Sequence, residues 1–295
     1  MAKKPEFICI GPTRTGTTWL YENLKQHPAV WMPPIKELRY LAEGCVIPSY
    51  RLKRLLFNSN WHFAELRSLP LRAFYKVLTG KAPLSSLGWA LRYSLRPGWS
   101  GFSLGWYASL FKSSRDLISG DISPIYYHLP ESRIVEIAAS QRNLKVIMMV
   151  RNPIDRVWST AQKNLTHYGK IPLEEIPVEK FISHFEYVYS RWTPYLSVYR
   201  KWSAHFSAIT IGQFEDLEQN PQKFFTGITS FLGIPAMDLK ERLGRKVNSG
   251  PGFTIPPEFR DILNRQYRDE IFALAEKGFC PNPAAWLGEE AGCAS

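Results

Sequence analysis

No part of this chain leaves the fold less freedom than its residues 7–24, FICIGPTRTGTTWLYENL. FICIG is a short apolar run closed by Gly11, as in a buried strand. TTWLYENL places Leu20 and Leu24 on one helical face, and Pro28 bounds the helix. Strand, glycine loop and helix make the first unit of an open α/β sheet. Gly11 and Gly16 have the spacing of the phosphate loop G-x-x-x-x-G-K-[ST], but Thr17 stands where the lysine belongs and Thr18 follows it. The nearby basic side chain is Arg14, inside the loop. Such a loop aims successive backbone N–H groups into one concavity, and the helix adds its positive end. Thr15, Thr17 and Thr18 offer hydroxyl donors. The pattern predicts a phosphate site of neutral donors plus one arginine, and the missing lysine argues against ordinary ATP or GTP hydrolysis. Taken alone, the loop also reads as a plain Gly/Thr turn.

A second unit of the same kind is LKVIMMVRNPIDRVWSTAQKN. Val146–Val150 predict a central strand, Asn152 suits an N-cap, Pro153 suits the first helical position, and the helix extends to about Lys163. Arg151 then lies at the carboxyl end of a strand and Ser159 on the following helix, the end at which open α/β sheets bind ligands. Arginine grips phosphate with two parallel hydrogen bonds and serine adds a third. AITIGQFEDL predicts another strand, NPQKFFTGITSFLGIP a helix ending near Gly233, and LISGDISP a short fourth strand. With 295 residues and 45% hydrophobic content the chain suits one large domain, and 21% charged residues exclude a disordered one. Two phosphate-binding units on one sheet edge fit a nucleotide with phosphates at both its 5′ and 3′ positions.

At these residues the chain resembles the sulfotransferases that use 3′-phosphoadenosine 5′-phosphosulfate (PAPS). GPTRTGTTWL resembles their 5′-phosphosulfate loop and VIMMVRNPIDRVWS their 3′-phosphate motif. GQFEDLEQNPQKFFTGITSFLGIP and GDISPIYYHLP resemble supporting segments, the likeness being closest to bacterial and heparan-type members. The resemblance implies an α/β, P-loop-like three-layer fold: a central parallel sheet flanked by helices, with a helical insert, as one domain over 1–295. It implies that Arg14, Thr15, Gly16, Thr17, Thr18, Arg151 and Ser159 bind PAPS. Lys246, in the basic loop GRKVNSGPGF with Arg245 behind it, would close over the 3′-phosphate. Many members have lysine where this chain has Arg14. Tyrosylprotein-type members use arginine, which stabilises charge on the leaving oxygen but cannot give up a proton. PPIKELRYL matches the place where glycan-type members carry a Lys-Glu pair, so Glu37 is the expected general base with Lys36 beside it, although a surface pair is the commoner fate of such a dipeptide. Ser123, Tyr126 and His128 are expected to line the acceptor site, with His128 a lesser rival as base. Glu215 and Asp216 read as structural, as does His27. No metal is expected to be required.

The function expected is transfer of a sulfuryl group from PAPS to an acceptor hydroxyl of a glycan, glycolipid or small alcoholic metabolite, by in-line attack. A P-loop nucleotide or metabolite kinase and a non-catalytic anion- or nucleic-acid-binding protein are the competing readings. The formal net charge of +11 favours anionic partners without choosing among them. Residues 44–118 are read as a basic, aromatic-rich insert or lid. Val46 to Leu110 hold nine Lys and Arg against one acid, Glu65. That composition leans toward an anionic or amphiphilic acceptor and leaves peripheral membrane contact open, with no nucleic acid expected. Cys9, Cys45, Cys280 and Cys293 have no C-x-x-C spacing, which speaks against zinc and a dithiol motif. FICI is too short for a signal-peptide core, so a cytoplasmic protein is expected.

Overall fold

The computed structural model describes residues 3–45, 69–71, 73–75, 77–80, 84–94, 103–168, 172, 175–239 and 254–289. Five strands, β1 Phe7–Cys9, β2 Val30–Trp31, β3 Ile118–Ile122, β4 Lys145–Val150 and β5 Ile209–Gln213, form one parallel sheet in the order β2-β3-β1-β4-β5. The helices are α1 Thr17–Leu24, α2 Leu84–Ser94, α3 Leu104–Ser109, α4 Glu131–Ser140, α5 Pro153–Gln162, α6 Val178–Ser190, α7 Tyr195–Ser203, α8 Phe214–Gln219, α9 Pro221–Leu232, α10 Pro257–Glu276 and α11 Pro283–Leu287. The chain leaves β1 for the β3–β2 side and returns past β1 to β4 and β5. The β1 and β4 ends therefore lie side by side where the strand order reverses.

Alternation along β1 and β4 divides the core into two layers. Ile8, Val146, Met148 and Val150 join Ile134, Val157, Trp158, Tyr195, Trp202 and Phe259 on one face. Phe7, Cys9, Ile147 and Met149 join Trp19, Leu20, Leu24, Phe225 and Ile228 on the other. Both faces of each strand are covered, so the strands read as unbroken apolar runs. This is the three-layer α/β arrangement expected from the sequence.

Three Asn-Pro pairs start helices in the same way. The Asn152 side chain accepts from the N–H of Ile154, that of Asn220 from Lys223, and that of Asn282 from Ala285. Gly233 ends α9 in the left-handed conformation at φ 76°. Two details add to the sequence reading. Helix α5 ends at Gln162 with Lys163 as its C-cap, as expected, and a π-helical turn, Lys163–Tyr168, follows it. The edge strand β2 had no sequence signal of its own. Within 44–118, Trp89, Tyr93, Tyr107 and Phe111 are core residues; Trp89 Nε1 donates to the Leu110 carbonyl and the Tyr93 hydroxyl to that of Leu38. Among the described residues, no helix is long and apolar enough to cross a membrane.

Candidate active site

The loop after β1 is shaped by backbone conformation before any side chain acts. Gly16 caps α1 at φ 81°, and a Cβ there would lie 2.7 Å from Leu217 Cδ2. Gly11 lets the loop press on β4, since its Cβ would fall 2.3 Å from that of Met149. Arg14 also takes positive φ, 71°, uncommon outside glycine. Thr15 is buried, and its hydroxyl donates to the Pro12 carbonyl at 2.7 Å, bracing the loop from within. Thr17 is buried at the first turn of α1 and Thr18 is half-buried beside it.

The second unit meets the first directly. Arg14 Nε donates to Ser159 Oγ at 2.8 Å, and Arg151 Nη1 donates to the Arg14 carbonyl at 3.1 Å. Residues far apart in sequence thus converge at the carboxyl ends of β1 and β4. Burial, and then the charge of Arg151, lower the pKa of Arg14. Two guanidinium groups brought to one loop at a helix N-terminus favour an anion there. The Arg151 guanidinium also lies 4.2 Å from the centre of the Phe214 ring, which fixes its plane.

The β4–α5 turn is held from three sides. The N–H of Asn152 donates to Glu215 Oε1 at 2.8 Å, its Nδ2 donates to the Trp286 carbonyl at 2.8 Å, and the N–H of Arg151 donates to the Tyr195 hydroxyl oxygen at 3.3 Å. Tyr195 is itself tied through its N–H to Glu270 Oε1 at 2.9 Å. Burial pushes the Glu215 carboxyl up to about 7, against the Asn152 hydrogen bond and the Arg151 charge.

Glu37 sits in an ion triplet on the segment leading to Tyr40. Lys36 Nζ is 2.8 Å from its Oε1 and Arg39 Nη2 is 2.6 Å from its Oε2, with Arg39 Nε also donating to Oε2 at 3.2 Å. Glu37 and Arg39 both take positive φ, 64° and 57°. With that double turn, Lys36 and Arg39, three residues apart, meet on one carboxylate. Burial raises the Glu37 pKa, but the charges and hydrogen bonds of Lys36 and Arg39 prevail and hold it below the ordinary value. Lys36 also lowers the pKa of Cys9, on β1, against the burial that takes it to about 12. The Ser123 N–H donates to the Cys9 carbonyl at 3.2 Å and the Arg39 N–H to Ser123 Oγ, so the triplet's segment is tied to the β1 end that carries the loop.

The family-model comparison matches the sulfotransferase domain over residues 4–248 of the 295. The chain belongs to the sulfotransferase domain family. Among solved structures, it is similar to a sulfotransferase from Alicyclobacillus acidocaldarius, with 16% identity, TM-score 0.60, and 96% of this chain and 98% of that one covered. It is similar also to the sulfotransferase domain of the Synechococcus PCC 7002 olefin synthase, with 21% identity, TM-score 0.51, and coverage of 90% and 88%. A third likeness is to a sulfotransferase domain of the curacin biosynthetic pathway, with 18% identity, TM-score 0.51, and coverage of 88% and 83%. No curated protein sequence matches. The structural likenesses share the parallel sheet and its helical layers with this sulfotransferase.

The other sequence-predicted residues of the sulfotransferase take several different places. Arg14, Thr15, Gly16, Arg151 and Ser159 converge as described, with Thr17 and Thr18 opening α1. Ser123 and Tyr126 are fully buried: Ser123 Oγ donates to Asp121 Oδ1 at 2.8 Å and accepts from the Arg39 N–H at 3.1 Å, while the Tyr126 hydroxyl donates to Asp121 Oδ2 at 2.5 Å. Tyr107 donates to the same Oδ2 at 2.9 Å. These hydroxyls lie under the Glu37 segment and support it through the Arg39 backbone. His128 is exposed and stacks edge-on against Tyr127, their ring centres 5.2 Å apart. Lys246 and Arg245 lie outside the described residues. His27 bridges the Pro235 carbonyl and the Ala29 N–H, a structural role. Arg39, Asp121, Tyr195 and Trp286 were not singled out from sequence, and only the acid two residues before Arg39 hinted at any of them.

Proposed function

We propose that this sulfotransferase moves a sulfuryl group from PAPS to the hydroxyl of a glycan, glycolipid or small alcoholic metabolite, with Glu37 as general base. The observation that carries the reading is the meeting of Arg14, Arg151 and Ser159, which joins the 5′-type loop to the 3′-type motif. The residues fit such a donor: left-handed Arg14 and Gly16 shape the loop at the α1 N-terminus, and Arg14 and Arg151 tie it to the β4–α5 unit without a lysine at position 17. In this reading PAPS supplies an activated sulfuryl group. The acceptor oxygen bonds to sulfur as the sulfur–oxygen bridge to phosphate breaks. Glu37, ionised at neutral pH, takes the hydroxyl proton. Arg14 stabilises the charge left on the bridging oxygen, Arg151 and Ser159 hold the 3′-phosphate, and Lys246 closes over it.

The cations beside Glu37 favour an anionic or amphiphilic acceptor, with Lys36 and His128 on the acceptor side and Ser123 and Tyr126 acting through the Asp121 network. The whole chain, 1–295, is read as one such domain, cytoplasmic, with 44–118 as its insert. The test is thermal unfolding with 3′,5′-adenosine bisphosphate and, separately, with Mg-ATP. A rise with the bisphosphate alone is expected, because a ligand that binds only the folded state stabilises it. A rise with Mg-ATP alone sinks the reading in favour of a kinase. Glu37→Ala should keep the bisphosphate shift while PAPS turnover falls roughly 10²–10⁴-fold; Arg14→Ala should weaken both.

A further inference from the structure

Asp121, on β3, is 1% exposed and stands in register beside Ile8 of β1. Among the described residues its side-chain partners are hydroxyls rather than cations: Ser123 Oγ donates to its Oδ1, and the Tyr126 and Tyr107 hydroxyls donate to its Oδ2. Burial raises the pKa of Asp121, and these three hydrogen bonds oppose the rise. A carboxylate buried without a cation costs stability unless hydrogen bonds satisfy it, so packing alone does not account for an acid here. The hydroxyls show what it does. A carboxylate only accepts, so each hydroxyl turns its proton toward Asp121 and is left with an oxygen that accepts. Ser123 Oγ accepts from the Arg39 N–H at 3.1 Å, and the Tyr126 oxygen accepts from the Leu41 N–H at 3.4 Å. One buried acid thus orients two acceptors along a single backbone segment.

That segment carries Glu37. Glu37 and Arg39 hold left-handed backbone, which residues other than glycine keep only where their surroundings fix it. Two tyrosines from the 44–118 stretch add to the grip. The Tyr93 hydroxyl, on α2, donates to the Leu38 carbonyl at 3.0 Å. The Tyr107 ring, on α3, stacks on that of Tyr40, with centres 5.6 Å apart and planes at 10°. Tyr107 therefore touches both the acid and the segment the acid holds. We propose that Asp121 is a positioning residue for Glu37. Through Ser123, Tyr126 and Tyr107 it holds residues 37–41 in their turn, and the turn keeps Lys36 and Arg39 on the Glu37 carboxylate. The consequence for sulfuryl transfer rests on the reading of Glu37 as general base; the anchoring of the segment does not.

The test uses the full chain and the variants Asp121→Asn, Ser123→Ala and Tyr107→Phe, the last two keeping the buried acid. The first measurement is amide hydrogen exchange by NMR, which needs neither donor nor acceptor. Asp121→Asn and Ser123→Ala should each speed exchange of the Arg39 amide about tenfold, with β4 amides within about twofold of the parent. Tyr107→Phe keeps the ring against Tyr40 and should speed Arg39 and Leu41 by a smaller factor. Unchanged exchange at Arg39 in Ser123→Ala overturns the proposal, and so does an equal acceleration in β4, which makes the network general core. The second measurement is PAPS turnover with octyl glucoside as acceptor, in a cycle of Ser123→Ala with Glu37→Gln. Ser123→Ala should lower turnover about tenfold or more in the parent and less than about twofold in Glu37→Gln, because its effect passes through Glu37. The thermal shift with 3′,5′-adenosine bisphosphate should persist in each variant. Losses that multiply across the cycle overturn the positioning role. Turnover unaffected by Glu37→Gln alone sinks the reading of Glu37 as base, and the exchange rates then decide the anchoring separately.

Discussion

Replacing Glu215 by glutamine should stabilise the protein above neutral pH relative to its effect near pH 5. Burial is the main cause of the raised pKa, from 4.5 to about 7; Asp155 adds to it, while the Asn152 N–H, the residue's own N–H and Arg151 oppose it. The sign follows from proton counting. Between the two values the folded state holds a proton that the unfolded state has released, so stability falls as pH rises through that window and stays low above it. At about 1.4 kcal/mol per unit the full effect is about 3 kcal/mol, of which about 2–3 kcal/mol develops between pH 5 and pH 8. Glutamine keeps an oxygen for the Asn152 N–H and carries no charge. Its amide nitrogen takes the place of Oε2, which is buried without a hydrogen-bond partner, at a pH-independent cost of about 1–2 kcal/mol. The informative quantity is therefore the change in the variant's effect with pH. Denaturant unfolding of parent and Glu215→Gln at pH 5 and pH 8, without nucleotide, measures it. A variant effect that is the same at both pH values, or that turns more destabilising at pH 8, refutes the assignment of a raised carboxyl at the β5–α8 turn.

Two further substitutions probe the loops themselves. Gly16→Ala must hold φ 81° with a Cβ 2.7 Å from Leu217 Cδ2, and should cost about 1–3 kcal/mol in denaturant unfolding; Gly227→Ala, inside α9 with open space around the new methyl, is the control and should gain up to about 1 kcal/mol. Asn152→Ala removes the cap on Ile154 and the tie to the Trp286 carbonyl, and should cost about 1–2 kcal/mol while weakening the calorimetric affinity for 3′,5′-adenosine bisphosphate.

The parts of this molecule that could be read from sequence are those where one residue must hold a particular backbone conformation. Gly16 at positive φ, Asn152 and Asn220 before proline, and Gly233 past the end of α9 all announce their turns locally. Strand β2 could not be read because Val30 and Trp31 are a strand only through their pairing with Ile118 and Ser119. The clamp on Glu37 was hidden for a different reason. Lys36 and Arg39, three residues apart, meet on one carboxylate where Glu37 and Arg39 both adopt left-handed backbone, and neither residue type calls for it. The tie between Glu215 and Asn152 depends on topology. Val150 pairs with Gln213, so the turns after β4 and β5 are placed side by side, and Glu215, read from sequence only as structural, accepts from the neighbouring turn's Asn152 N–H. The same adjacency of β1 and β4, with Cys9 beside Ile147, puts Arg14 on Ser159. Each loop could be identified by its own residues; that the arginine of each would bond to the other required the strand order.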